Sequence, residues 1–104
     1  MSRHNLKFLW DYFFPNQNEA YDYAGRRMLK SAIGNQNSRY CPTIEHIRPL
    51  SQGGRDTVEN ILLCNLQTNE EKADSFPTWN ANGSCFQAKR VKGACGEYDV
   101  YLLD

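Results

Sequence analysis

The chain has 104 residues, with 12 basic and 12 acidic side chains and a formal net charge of zero at pH 7. This length predicts a single domain over residues 1–104 with enough buried surface for a core of its own. No apolar run approaches the roughly 18 residues of a transmembrane helix, and the N-terminus lacks a signal-peptide pattern. We therefore expect a cytoplasmic protein with no membrane partner.

A neutral chain has no global attraction for nucleic acid, so any such binding must use local basic patches. Two short patches are candidates: Arg26, Arg27 and Lys30, and near the C-terminus Lys89, Arg90 and Lys92. Taken alone, either patch is more simply interpreted as a solvated face balanced by nearby acids.

Residues 1–37 predict two N-terminal helices. Apolar residues at positions 6, 9, 10, 13 and 14 have a helical period, and Pro15 ends it. A second amphipathic helix is expected from Asn18, as N-cap, to Gly34, with Asp22 and Arg26 as an i,i+4 pair on its polar face. A polar loop, residues 35–39, follows.

Residues 40–75 predict a strand, a glycine-containing loop, a second strand and a helix. The first strand is expected around Ile44 and Ile47, and the apolar run "ENILLC" (59–64) predicts the second. Asn65 is a candidate N-cap for the helix that follows. After these residues, "SCFQAKRV" (84–91) and "EYDVYLL" (97–103) predict a C-terminal β-hairpin around "KGACG" (92–96) within residues 76–104.

Four polar residues of this central stretch suggest a catalytic site: Glu45, His46, Asn60 and Asn69. His46 precedes Asn60 by fourteen positions, and Asn60 precedes Asn69 by nine. A carboxylate and an amide oxygen are suitable ligands for one hard cation such as Mg²⁺, which keeps several waters and is completed by substrate phosphate. An imidazole is the side chain best suited to take a proton from water near neutral pH.

The stretch "IEHIRPLSQGGRDTVENILLCNLQTNEEKAD" resembles the HNH (ββα-metal) endonucleases. It is similar to their His-Asn-Asn variant, which includes the nuclease domain of RNA-guided CRISPR effectors and small phage-type nicking enzymes. The resemblance implies an α+β fold: a ββα-metal core over residues 40–75, flanked by the N-terminal helices and the C-terminal hairpin.

The resemblance also implies a role for each matching residue. His46 would activate the water, Glu45 and Asn69 would bind one divalent cation, Mg²⁺ or Mn²⁺, and Asn60 would be chiefly structural. Lys72 and Arg48 are candidate contacts to substrate phosphate, although Lys72 is more simply a solvated helix residue.

This sequence departs from the family pattern in two ways. The acidic ligand is more often Asp, and the longer Glu45 could favour Mn²⁺ over Mg²⁺. Many members also hold a structural zinc with two CxxC pairs, whereas the four cysteines here (positions 41, 64, 85 and 95) form no such pair. We expect reduced cysteines and no structural zinc.

The leading hypothesis is a metal-dependent DNA endonuclease, a monomer or weak dimer, that contacts mainly the phosphate backbone and nicks one strand per active site. Two alternatives remain open. One is a non-catalytic nucleic-acid-binding module, stabilised by zinc through the cysteines, and the other is an interaction protein that has kept the fold without the chemistry.

Overall fold

A computed structural model describes residues 4–91 and 97–103 of the protein. The described elements are two helices and three antiparallel sheets, which make the fold α+β, as predicted. In chain order they are α1 (Leu6–Phe13), β1 (Glu19–Tyr21), β2 (Arg27–Leu29), β3 (Pro42–His46), β4 (Ile61–Asn65), α2 (Leu66–Lys72), β5 (Thr78–Ala81), β6 (Ser84–Arg90) and β7 (Tyr98–Leu102). The sheets are β1–β2, β3–β4 and β5–β6–β7, and short 3₁₀ turns occupy Lys30–Ala32, Leu50–Gln52 and Val58–Asn60.

The first predicted helix is confirmed as α1. The Asn5 side chain caps it by accepting a hydrogen bond from the backbone N–H of Phe8. Leu9 and Trp10 lie on its buried face and pack against Met28, Ile61 and other apolar residues of the first core cluster. This packing fixes the N-terminal segment against the central strands.

The second predicted helix is wrong, because residues 19–29 form the antiparallel hairpin β1–β2 instead. The buried Asp22 side chain does not form the expected ion pair with Arg26. Its Oδ1 accepts the backbone N–H groups of Ala24 and Arg26 at 3.0 and 2.9 Å. Gly25 has φ +86°, a left-handed conformation that glycine adopts at little cost. These local bonds close a turn and override the helical period of the apolar residues.

The predicted strand–loop–strand–helix order is confirmed for β3, β4 and α2, which we call the central unit. Pro42 pairs with Asn65 and His46 with Ile61, so the two strands are antiparallel over their whole length. Asn65 caps α2, as predicted, by accepting the N–H of Gln67 at 3.0 Å. The central unit lies between two apolar clusters, because Ile61 and Leu63 belong to the first and Leu62 packs against the second.

The predicted C-terminal hairpin is confirmed as β6–β7, and the sequence analysis missed β5, which pairs with the other edge of β6. The expected "KGACG" connection lies outside the described residues. Trp79 on β5 and Phe86 on β6 form the centre of the second cluster with Ile47 and Tyr98. None of the helices in the described ranges combines the length and the apolar character needed to cross a membrane.

Candidate functional site

A cavity of about 270 Å³ at one end of the central unit brings together three of the predicted site residues, Glu45, His46 and Asn69. Its other lining residues are Ile44, Pro49, Leu50, Ser51, Ala73 and Asp74. Glu45 and His46 come from the end of β3, and Asn69 comes from α2. A strand and a helix thus place a carboxylate, an imidazole and an amide around one space.

The His46 ring is held by Asp56, a residue that the sequence analysis did not select. His46 Nε2 lies 2.8 Å from Asp56 Oδ1, and both side chains are mostly buried, at 13% and 14% exposure. With the Asp56 carboxylate as acceptor, Nε2–H is the donor, and Nδ1 is the ring nitrogen that this contact does not use. His4 Nε2 contacts the backbone oxygen of Asp56 at 3.1 Å, so the N-terminal segment also reaches this loop.

Glu45 is 3% exposed and points into the interior. Its Oε1 accepts long hydrogen bonds, 3.4 Å each, from the Tyr23 hydroxyl and the Cys64 thiol. Its Oε2 is buried without a hydrogen-bond partner among the described residues. Burial raises the pKa of the Glu45 carboxyl to about 7, although the nearby Lys72 ammonium acts in the opposite direction.

Asn69 is oriented by its amide nitrogen. Nδ2 donates to Thr43 Oγ1 at 3.0 Å and to the Ile44 carbonyl at 3.2 Å. Its described hydrogen bonds all use Nδ2, so the amide oxygen is available as a ligand atom. The two bonds tie α2 to β3 next to Glu45 and His46.

Lys72 is not the solvated helix residue that the sequence suggested, because it is 0% exposed. Its Nζ donates to the His46 carbonyl at 3.4 Å and lies 4.8 Å from the centre of the Trp79 ring. Burial lowers the pKa of this lysine, and Glu45 partly opposes that shift. In this position the ammonium faces the buried side of Glu45 and is absent from the cavity lining, which argues against a direct contact with substrate phosphate.

Asn60 braces the loop between β3 and β4. The side chain is fully buried, accepts the Arg48 N–H at 2.9 Å, and donates to the carbonyls of Arg48 and Arg55 at 3.0 and 2.8 Å. These contacts match the structural role that the resemblance implies for Asn60, and the imidazole is held by Asp56 instead. Gly54 lies in the same loop, where a Cβ would come within 1.9 Å of the Arg48 carbonyl oxygen.

Arg48 lies half-buried beside the cavity. Its Nε donates to the Gln52 carbonyl at 2.8 Å, and one terminal nitrogen donates to the Tyr98 hydroxyl at 3.1 Å. Its contact with substrate phosphate stays a prediction.

The Glu45 and Asn69 side chains fit a hard divalent cation. A buried carboxylate oxygen without a partner, Glu45 Oε2, and a neighbouring amide oxygen are the kind of ligand that Mg²⁺ and Mn²⁺ take. In residues 4–91 and 97–103, no three His, Cys, Asp or Glu side chains converge as a metal-binding group. A cation bound here would therefore have these two side-chain oxygens as its protein ligands.

A family model described as HNH endonuclease matches residues 23–78, which are 56 of the 104 residues and so more than half of the chain. The matched range contains the whole central unit, all residues of the cavity lining, and Asp56. No curated protein and no solved structure matches the chain.

Proposed function

This chain belongs to the HNH endonuclease family, and from that premise we propose that it is a metal-dependent DNA endonuclease hydrolysing phosphodiester bonds. The central unit is then its ββα-metal core. The observation that carries the proposal is the single cavity lined by Glu45, His46 and Asn69. A module that only binds nucleic acid does not need these three groups around one space.

His46 is the general base in this proposal. The Asp56 carboxylate accepts a hydrogen bond from Nε2–H and holds the ring, which leaves Nδ1 to take a proton from the attacking water. The imidazolium that forms is stabilised by the same carboxylate. Asn60 contributes indirectly, since it fixes the loop that carries Asp56.

Glu45 and Asn69 would hold the divalent cation, Mg²⁺ or Mn²⁺. Tyr23 and Cys64 donate hydrogen bonds to Glu45 Oε1, so Oε2 is the carboxylate oxygen that remains to bind the cation. When bound, the cation would neutralise the charge that builds on the phosphate and on the leaving oxygen. The positive charge of the buried Lys72 lies near the Glu45 carboxylate and favours its ionised form, which is the form that binds a cation.

One set of Glu45, His46 and Asn69 per chain favours nicking of a single strand, with recognition mainly through the phosphate backbone. A monomer or weak dimer is sufficient for this reaction. Cleavage of both strands would need two chains or two binding events.

The direct test compares wild type and His46→Ala on supercoiled plasmid with Mg²⁺ or Mn²⁺. Wild type should yield open circle before linear product, and loss of the general base should slow nicking by about 10²- to 10⁴-fold. Glu70→Gln is the control, because Glu70 is exposed on α2 and does not line the cavity, and it should nick close to the wild-type rate. Equal nicking by wild type and His46→Ala would make the general-base assignment wrong.

A further inference from the structure

A second cavity, of about 400 Å³, lies at the opposite end of the central unit from the candidate active site. Its lining consists of three arginines, one tyrosine and two amides: Arg26, Arg27, Arg39, Tyr40, Asn65 and Gln67. We call it the arginine pocket. No carboxylate is among its lining residues.

The three arginines differ in how much of their charge is already neutralised. Arg26 donates to Glu71, and Arg27 to Glu19. Arg39 has no acidic partner within 4 Å in the described part of the chain, and its guanidinium lies 6.0 Å from the centre of the Tyr40 ring. The pocket therefore contains one free guanidinium beside two that are already oriented by their carboxylates.

We propose that the arginine pocket binds a backbone phosphate of the nucleic-acid substrate, separate from the phosphate that is cleaved. This inference rests on the proposed nuclease function and extends its binding surface. Guanidinium groups match the geometry of phosphate oxygens and can donate two parallel hydrogen bonds. The Asn65 and Gln67 side chains add polar groups, although Asn65 already donates to the carbonyls of Arg27 and Arg39.

The register of β3 sets the distance between the two sites. Pro42 pairs with Asn65 of the arginine pocket, and Glu45 and His46 lie three and four residues further along the strand. At about 3.3 Å per residue the sites are roughly 10 to 13 Å apart along β3. Neighbouring phosphates of one strand are closer together than this, so the two sites would hold two phosphates that are not adjacent in the backbone.

The test measures DNA binding by Arg39→Gln in EDTA, so that binding is observed without cleavage. Losing one phosphate contact should reduce the slope of log K against log salt by about 0.9. If the lost phosphate contact contributes nothing at 1 M salt, this change of slope weakens DNA binding roughly eightfold at 0.1 M salt. The Arg39 side chain makes no described hydrogen bond, so the substitution should leave the thermal unfolding temperature close to that of wild type.

Lys89→Gln is the matched control. Lys89 also carries one charge over an aromatic ring, 5.4 Å from the centre of Tyr101, but it lies on β6 and does not line the arginine pocket. Its removal should leave the salt slope unchanged. Equal losses in both variants would overturn the proposal, because binding would then depend on overall charge and not on this pocket.

Neutral methylphosphonates placed one at a time along the substrate locate the contact. A substitution at the contacted phosphate, away from the cut, should weaken binding by wild type and have no effect on Arg39→Gln. If no position distinguishes the two proteins, the pocket does not hold a backbone phosphate. Inorganic phosphate could instead bind at the arginine pocket while DNA binding does not depend on Arg39. That result would assign the pocket to free phosphate and would also overturn the proposal.

Failure of this inference and failure of the nuclease assignment give different results. If His46→Ala abolishes nicking but Arg39→Gln binds DNA as wild type does, only the arginine pocket is wrong. If wild type never nicks but its DNA binding depends on Arg39, the pocket stands and the catalytic assignment is wrong.

Discussion

The two faces of β3 hold neighbouring residues in opposite electrostatic environments. Glu45 is buried, and its carboxylate is held by two neutral donors, the hydroxyl of Tyr23 and the thiol of Cys64. His46, one residue later, turns to the other face and is held by the ionisable carboxylate of Asp56. Successive residues of a strand point to opposite faces, so the two side chains reach the cavity at the end of β3 from different sides of the strand.

This difference predicts which charge each face tolerates. On the Glu45 face, ionisation is costly without a cation, because desolvation outweighs the attraction of Lys72. On the His46 face, a positive imidazolium is matched by Asp56. In the proposed reaction, the cation would bind on the Glu45 face and His46 would take the proton on the other.

The largest expected effect concerns the Glu45 face in the absence of metal. The folded carboxyl has a pKa of about 7, above its ordinary value of 4.5, so the folded state retains a proton that the unfolded state loses. Stability should therefore fall as pH rises from about 4.5 to 7, by about 3 kcal/mol in total. Glu45→Gln should lack this loss when urea unfolding is followed in EDTA.

Glu70→Gln is the control for this experiment, since Glu70 is an exposed glutamate of α2. It should keep the wild-type pH dependence, and a Glu45→Gln profile parallel to wild type would show that the buried carboxyl does not ionise in this range. Glu45→Gln should also weaken binding of Mn²⁺, as measured by electron paramagnetic resonance, because it removes the only carboxylate of the proposed ligand pair.

An intermediate effect is expected on the His46 face. Asp56→Ala should slow nicking by at least about tenfold, because the imidazole loses the carboxylate that holds its orientation and tautomer. The same variant should lose the preference for the Nε2–H tautomer of His46 in ¹⁵N NMR spectra. Asp56→Asn should keep that tautomer, because its amide oxygen still accepts from Nε2, and should recover part of the rate.

The control for Asp56 is Glu59→Ala, which removes an exposed acid from the same loop and should change neither the rate nor the tautomer. A slow Asp56→Ala enzyme with an unchanged tautomer would mean that Asp56 stabilises the loop and does not position His46.

The central unit was predictable because its signals are local. The Asn65 cap, the apolar run of β4 and the spacing of Glu45, His46 and Asn69 all lie in the sequence itself, and they predicted the elements that line the cavity. The hairpin β1–β2 was not predictable from the apolar period, because side-chain bonds of Asp22 and the left-handed Gly25 decide that turn.

Two features of the site depend on contacts that a sequence pattern cannot show. Asp56 contacts His46 although the two are ten residues apart, because hydrogen bonds of Asn60 fix the loop between them. The sequence around Asp56 therefore did not indicate its contact with His46. The burial of Lys72 follows from Trp79 on β5, a strand that the sequence analysis missed. One missed strand thus accounts for one wrong expectation about the site.

The smallest expected effect concerns Glu71, a glutamate of the same central unit whose contribution to stability depends on pH in the opposite direction to that of Glu45. Glu71 lies on the exposed side of α2, where a hydrogen bond from Arg26 and one from the backbone N–H of Asn82 lower the pKa of its carboxyl. Its contribution to stability is therefore present at neutral pH and is lost as pH falls below about 4.5, whereas that of Glu45 is lost as pH rises above it. Solvent screening limits the contribution to less than about 1 kcal/mol.

Glu71→Gln should lower stability at pH 7 by that amount relative to Glu70→Gln, measured by urea unfolding, and should lose less stability on acidification. If Glu71→Gln instead removed the loss between pH 4.5 and 7, that loss could not be assigned to the buried face of β3.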